Sequence, residues 1–165
     1  MRKERSALHT PAAAALTGLL LLVGTHTLAD PGPAADVAAI EACLKKAEDE
    51  DRFGTECIGH LAYPCRDTAQ GDIARTKACA ARELAAWTAL KAAAVRRVQA
   101  GGFREINAAV TESEQGWIRL RDSLCPAFDK VEPGTLPGDA TYCRLQTTAH
   151  RVLLLRKLGD AVNER

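Results

Sequence analysis

Residues 103–125 read FREINAAVTESEQGWIRLRDSLC, and this stretch carries the strongest helical periodicity in the chain. Its apolar residues recur at intervals of three, four and seven, and they are Phe103, Ile106, Val110, Trp117, Leu120 and Leu124. Residues at this spacing share one face of an α-helix, and such a face normally packs into a core. The stretch therefore predicts an amphipathic helix that ends at Cys125-Pro126.

Similar patterns predict further helices on both sides. They cover about residues 35–50, a short segment from Thr55 that stops at Tyr63-Pro64, about residues 72–100, and a last helix from Tyr142 with Gly159 as its C-terminal stop. Gly101-Gly102 separates the third helix from the fourth. No stretch alternates as a strand would. The expected fold is a small all-α, disulfide-stapled helical bundle of about three long helices and one or two short ones.

The N-terminus has the three parts of an export signal. Arg2, Lys3 and Arg5 precede an apolar run over residues 12–24, and small residues stand before Asp30. The apolar run is shorter than the roughly 20 residues of a membrane span. We therefore expect residues 1–29 to be a signal peptide, and residues 30–165 to form one helical domain in the periplasm or outside the cell, without a membrane span.

All six cysteines lie downstream of this signal, where thiols oxidise to disulfides. Six cysteines allow fifteen pairings, and the sequence alone does not choose among them. Their spacing favours pairing of cysteines that are consecutive in the sequence. The bonds would then join Cys43 to Cys57, Cys65 to Cys79 and Cys125 to Cys143. There is no Cys-x-x-Cys motif for zinc, redox or haem chemistry, so we expect no metal and no cofactor.

Charge argues against some classes of function. Removing residues 1–29 takes away three of the 22 basic and one of the 21 acidic residues, so the formal charge changes from +1 to −1. Nucleic acid is not an expected partner, because no basic face is evident. The acidic run over residues 48–51 is interpreted as a solvated helix end. His60 and His150 have no nucleophile motif near them, so we expect a protein that is not an enzyme.

Three segments resemble the LprI-like family of lysozyme inhibitors. Residues 115–125 match its Q-x-W-I-x-x-R-D-x-x-C pattern, residues 143–151 its C-x-x-x-x-T-x-x-R pattern, and residues 79–87 its C-x-x-x-E segment with a tryptophan. The matching polar and aromatic residues are Glu83, Trp87, Gln115, Trp117, Arg121, Asp122, Thr148 and Arg151. One departure is that residues 88–92 lack the D-x-x-L-N continuation. The resemblance implies a secreted or periplasmic helical protein that inhibits c-type lysozyme.

The positions of these polar residues suggest a buried ion pair. Arg121 lies beside the apolar stripe of its helix, so its guanidinium needs a carboxylate to offset desolvation. Glu83 is the candidate partner, and Arg151 could share it. We interpret this set as a structural pair that fixes helix register, in preference to a catalytic or binding cluster.

The segment over residues 126–142 is the expected partner-binding surface. We interpret it as an ordered loop that carries the apolar anchors Phe128 and Leu136 and the acidic residues Asp129, Glu132 and Asp139. An acidic loop tethered by flanking cysteines would be steered toward a basic c-type lysozyme. Two alternatives remain open: an ordinary surface connection, and a structural or envelope-stress module whose partner is another envelope protein.

Overall fold

The computed structural model describes residues 32–131 and 139–164, and within them the chain is helical and contains no strand. The helices are α1 (Pro33–Asp49), α2 (Ala62–Thr68), α3 (Ile73–Ala100), α4 (Arg104–Leu124), α5 (Phe128–Val131) and α6 (Ala140–Asn163). Short 3-10 turns over Thr55–Cys57 and Cys125–Ala127 precede α2 and α5. The all-α class is confirmed. The predicted signal peptide, residues 1–29, lies outside the described residues.

The helix boundaries follow from ordinary capping chemistry. The carboxylate of Asp72 accepts a hydrogen bond from the Arg75 amide at 3.1 Å, and this starts α3. Asp139 caps α6 in the same way, accepting from the Tyr142 amide at 2.8 Å. Between α3 and α4, Gly102 adopts φ +76°, a left-handed conformation that suits glycine.

The central pair of the bundle is α3 and α6, and two apolar clusters form against it. The first cluster joins α1 to the pair and includes Ile40, Leu44, Trp87, Leu145 and Val152. The second joins α4 to the pair and includes Ala94, Val98, Val110, Leu155 and Val162. Trp87 is completely buried and is the largest side chain of the core.

Three disulfides staple these helices, and they confirm the pairing of neighbouring cysteines. Cys43–Cys57 joins α1 to the first 3-10 turn, Cys65–Cys79 joins α2 to α3, and Cys125–Cys143 joins the end of α4 to α6. No cysteine in the described part of the chain is free. Each bond closes a short segment of chain, which removes conformational freedom from the unfolded state.

Two predicted helix stops are wrong. Tyr63-Pro64 does not end the second helix but lies in the first turn of α2. Proline is tolerated there, because the first amides of a helix have no intrahelical partner to lose. Gly159 does not end the last helix; it is buried inside α6, where a Cβ would lie 3.2 Å from Cγ of Arg97. Its role is to allow close approach between α6 and α3.

The apolar stripe of α4 is less buried than its periodicity suggests. Val110 is buried, and Ile106 packs partly against the second cluster. Four other members of the helix or its cap are exposed, namely Phe103, Ile118, Leu120 and Leu124. The apolar contacts of α4 with the second cluster come from Ile106 and Val110, in its N-terminal half, and Leu120 and Leu124 lie beyond them. None of the described helices has the length and apolar character needed to cross a membrane.

Candidate functional site

Glu83 is a buried anchor for the chain segment that precedes α2. Its two carboxylate oxygens accept hydrogen bonds from the amides of Gly59, Leu61 and Ala62 at 2.7, 2.9 and 2.7 Å. They also accept from the indole Nε1 of Trp87 at 2.8 Å. Four N–H donors therefore replace the water that a buried carboxylate loses. This motif residue acts in folding, and we call these five groups the Glu83 anchor.

The predicted ion pair between Glu83 and Arg121 is wrong. Glu83 faces the segment before α2, whereas Arg121 lies on α4 and its guanidinium carbon is 4.7 Å from the ring centre of Trp117. Arg121 also pairs with the next residue, Asp122, at 2.8 Å. The hydrogen bond from Arg121 lowers the pKa of the Asp122 carboxyl group. The two motif residues thus serve separate parts of the bundle.

Arg151 does not share Glu83 either; it belongs to a charge cluster that links three helices. Its Nε donates to Glu114 at 2.7 Å, and Lys91 donates to the other oxygen of Glu114 at 2.7 Å. Lys91 also lies 4.2 Å from the ring centre of Trp117, on the ring that Arg121 contacts. We call Lys91, Glu114 and Arg151 the three-helix cluster. It fixes α4 against α3 and α6, and no sequence motif marks Lys91 or Glu114 as a partner of Arg151.

The three-helix cluster makes stability depend on pH. Burial alone would raise the pKa of Glu114, but hydrogen bonds and charges from Lys91 and Arg151 outweigh it and lower that pKa below its ordinary value of 4.5. A carboxyl group whose pKa is lowered by folding contributes stability above its unfolded pKa and loses it as the pH falls through the folded pKa.

We therefore expect the Glu114→Gln variant to lose less stability in acid than the native protein does. The free energy of unfolding should be measured in urea at a series of values from about pH 6 to about pH 3. The gap between the two proteins should narrow as the pH falls below the ordinary pKa of Glu114. Parallel curves over this range would contradict an ion-paired Glu114.

The remaining motif residues divide between core and surface. Trp87 and Thr148 are buried, and the Thr148 hydroxyl has no hydrogen-bond partner within the described chain. Gln115 is exposed on α4. The motif residues do not converge on one pocket, and most of them hold the helices together.

The expected partner-binding loop is partly helical. Phe128 is exposed on α5, and Asp129 lies 3.8 Å from Lys77 and accepts from the Ala140 amide at 3.2 Å. Asp139 was expected to be an exposed acidic contact, and this is wrong: it is completely buried because it caps α6. Glu132 and Leu136 lie outside the described residues.

An exposed apolar row follows the C-terminal half of α4 into α5. It consists of Leu120, Leu124, Phe128 and Val131, which are 62, 48, 40 and 78% exposed. Their spacing of four, four and three residues is typical of neighbours on one side of a helix, and the 3-10 turn Cys125–Ala127 lies between Leu124 and Phe128. We call these four residues the apolar row. Sequence periodicity identified two of them but assigned them to the core.

The apolar row is held firmly in place. Cys125, between Leu124 and Phe128, is bonded to Cys143 of α6. Asp129 accepts from the first amide of α6 and lies beside Lys77 of α3. A contact surface that is ordered before binding loses less entropy when a partner docks. The described residues contain no group of three or more His, Cys, Asp or Glu side chains that could hold a metal ion.

Comparison with known protein families gives a match over the middle of the chain. The sequence model of a family described as lysozyme inhibitor LprI matches residues 65–155, which is more than half of the chain. This range begins in α2 and ends within α6, so it includes the three-helix cluster and the apolar row. No curated protein and no solved structure matches the chain.

Proposed function

The chain belongs to the LprI family of lysozyme inhibitors, and from this premise we propose that it is an extracytoplasmic binding protein that inhibits c-type lysozyme. The family match is the observation that carries the proposal. The three disulfides support an extracytoplasmic location, because such bonds persist in the periplasm and outside the cell. We further propose that residues 1–29 direct export and that the protein acts by binding, without catalysis.

We propose the apolar row as the lysozyme contact. Exposed apolar groups that follow one another along a helix are favourable anchors, since burying them against a partner removes them from water. Phe128 and Leu124 lie at its centre, on either side of the disulfide that holds the row in place. Central anchors of this kind dominate the energy of many interfaces.

Charge plays a smaller part in this proposal than the sequence suggested. Of the two acidic loop residues within the described chain, Asp139 is buried and Asp129 already lies beside Lys77. A carboxylate near a cation steers a basic partner less effectively than a free one. We therefore propose that apolar contact, and not acidic steering, supplies most of the affinity.

The test is inhibition of c-type lysozyme by the oxidised mature protein and two matched variants. Leu124→Asn changes the apolar row, and Leu154→Asn changes a leucine of similar exposure on α6, outside the row. We expect Leu124→Asn to weaken inhibition about 30-fold, the effect of losing one central interface anchor. Leu154→Asn should inhibit as the native protein does.

Two results would overturn parts of the proposal. Full lysozyme activity in the presence of a large molar excess of folded native protein would exclude the inhibitor function. Equal inhibition by both variants would retain that function and exclude the apolar row as the contact. Circular dichroism of each variant establishes that it is folded before it is assayed.

A further inference from the structure

A groove of about 410 Å³ lies between α4 and α6, away from the apolar row. Ile106 and Val110 of α4 line it on one side, and Leu154, Leu155 and Leu158 of α6 line it on the other. On each helix these residues are spaced as on a single face. Two apolar helix faces are therefore adjacent here, and a gap remains between them. A volume of this size with aliphatic walls is typical of sites for small ligands.

The groove is open because α4 places a short side chain at its middle. Ala109 lines it between the larger residues Ile106 and Val110 and is itself exposed. Across from α4, Leu154 is 56% exposed, although its neighbours Leu153 and Leu155 are buried. An apolar wall is therefore in contact with water, and a ligand that covered it would gain from its burial.

One end of the groove is positively charged. Arg151 lines that end, where its Nε donates to Glu114 at 2.7 Å and its Nη2 donates to Ser113 at 2.5 Å. Glu114 also accepts from Lys91, so two cations share one carboxylate and an excess of one positive charge remains. A guanidinium has five N–H groups, and the two hydrogen bonds found within the described chain leave others for an anionic ligand.

We propose that this groove binds a free long-chain carboxylate, with the acyl chain along the aliphatic walls and the carboxylate at Arg151. Apart from Ser113 and Arg151, the lining side chains are aliphatic and have no hydrogen-bonding groups. A peptide laid along these walls would leave backbone amides and carbonyls without partners, whereas an acyl chain has none to satisfy. The site is independent of the proposed lysozyme contact.

Isothermal titration of the oxidised mature protein with dodecanoate, kept below its micelle concentration, tests this site. We expect one ligand for each protein and an affinity about 15-fold higher than for decanoate, since each buried methylene contributes about fourfold. Dodecanol has the same chain without the charge and should bind at least about tenfold more weakly, because it lacks a charge-assisted hydrogen bond to Arg151.

Two alanine-to-leucine variants locate the ligand. Ala109→Leu fills the groove and should reduce dodecanoate affinity at least about tenfold. The fold should be retained, because alanine and leucine both favour helix. Ala108→Leu makes the same change at the adjacent exposed position of α4, which does not line the groove, and should bind as the native protein does. Circular dichroism of both variants checks the fold.

Equal dodecanoate affinity in the two leucine variants would overturn the assignment to this groove. Equal affinity of the native protein for dodecanoate and dodecanol would overturn the role of Arg151. Binding that appears only above the micelle concentration would show a surface effect of detergent and would also overturn the proposal. Tighter binding of a leucine-terminated peptide would assign the groove to a protein chain instead.

Discussion

Replacing Glu83 with alanine is expected to destabilise the protein by about 4 kcal/mol or more, because each buried donor left unsatisfied costs about 1–3 kcal/mol. The change removes the acceptor for the amides of Gly59, Leu61 and Ala62 and for the indole N–H of Trp87. A small domain has a total stability of roughly 5–15 kcal/mol. Glu83→Ala should therefore remove a large part of the free energy of unfolding, even with the disulfides intact.

Urea unfolding of the oxidised protein, followed by near-ultraviolet circular dichroism, measures this effect. Glu112→Ala is the matched control, because it removes a carboxylate that is exposed on α4. It should change the free energy of unfolding by no more than about 0.5 kcal/mol. A loss below about 1 kcal/mol for Glu83→Ala would mean that water or relaxation satisfies the freed donors, and would contradict the role of Glu83 as an anchor.

Much of the fold could be predicted from the sequence because its signals are local. Helical periodicity and breaks such as Gly101-Gly102 act within a few residues, and the four longer helices that they indicate are present, whereas the short helix predicted from Thr55 is a 3-10 turn followed by α2. The preference for pairing neighbouring cysteines was right for the same reason, since each disulfide joins cysteines 14 or 18 residues apart. Short closures are more probable in an unfolded chain than long ones.

The partner of Glu83 could not be predicted in this way. A search for charged side chains finds Arg121, whereas the true partners are mainly backbone amides. They are brought together by the turn before α2, where Gly59 adopts φ +91° and a Cβ would lie 2.1 Å from the ring of Tyr63. The direction of a backbone N–H depends on such a turn, and no single residue type reveals it.

The apolar row shows a second limit of the sequence pattern. Periodicity predicts which residues share a helix face, but it does not tell whether another element covers that face. Leu120 and Val110 belong to the same stripe of α4, yet the first is exposed and the second is buried. The difference depends on where α3 and α6 lie, which the sequence of α4 does not determine. The candidate site was therefore only partly predictable.

Replacing Cys125 and Cys143 together with alanine is expected to lower stability by about 3 kcal/mol, the entropy that a closure of this length removes from the unfolded chain. It should also release the end of α4 and the start of α5, since this bond fixes the middle of the apolar row to α6. If the row is the lysozyme contact, inhibition should then weaken at least about tenfold, because the surface must be ordered on binding.

The Cys43/Cys57 double alanine variant separates the loss of overall stability from the loss of order in the apolar row. Its bond closes 14 residues, compared with 18 for Cys125–Cys143, so both variants should lose a similar free energy of unfolding. It joins α1 to the first 3-10 turn, on elements that carry none of the apolar row. At a temperature where both variants are folded, only the Cys125/Cys143 variant should lose inhibition. Equal losses would show that inhibition follows overall stability, and that the disulfide has no particular role in ordering the apolar row.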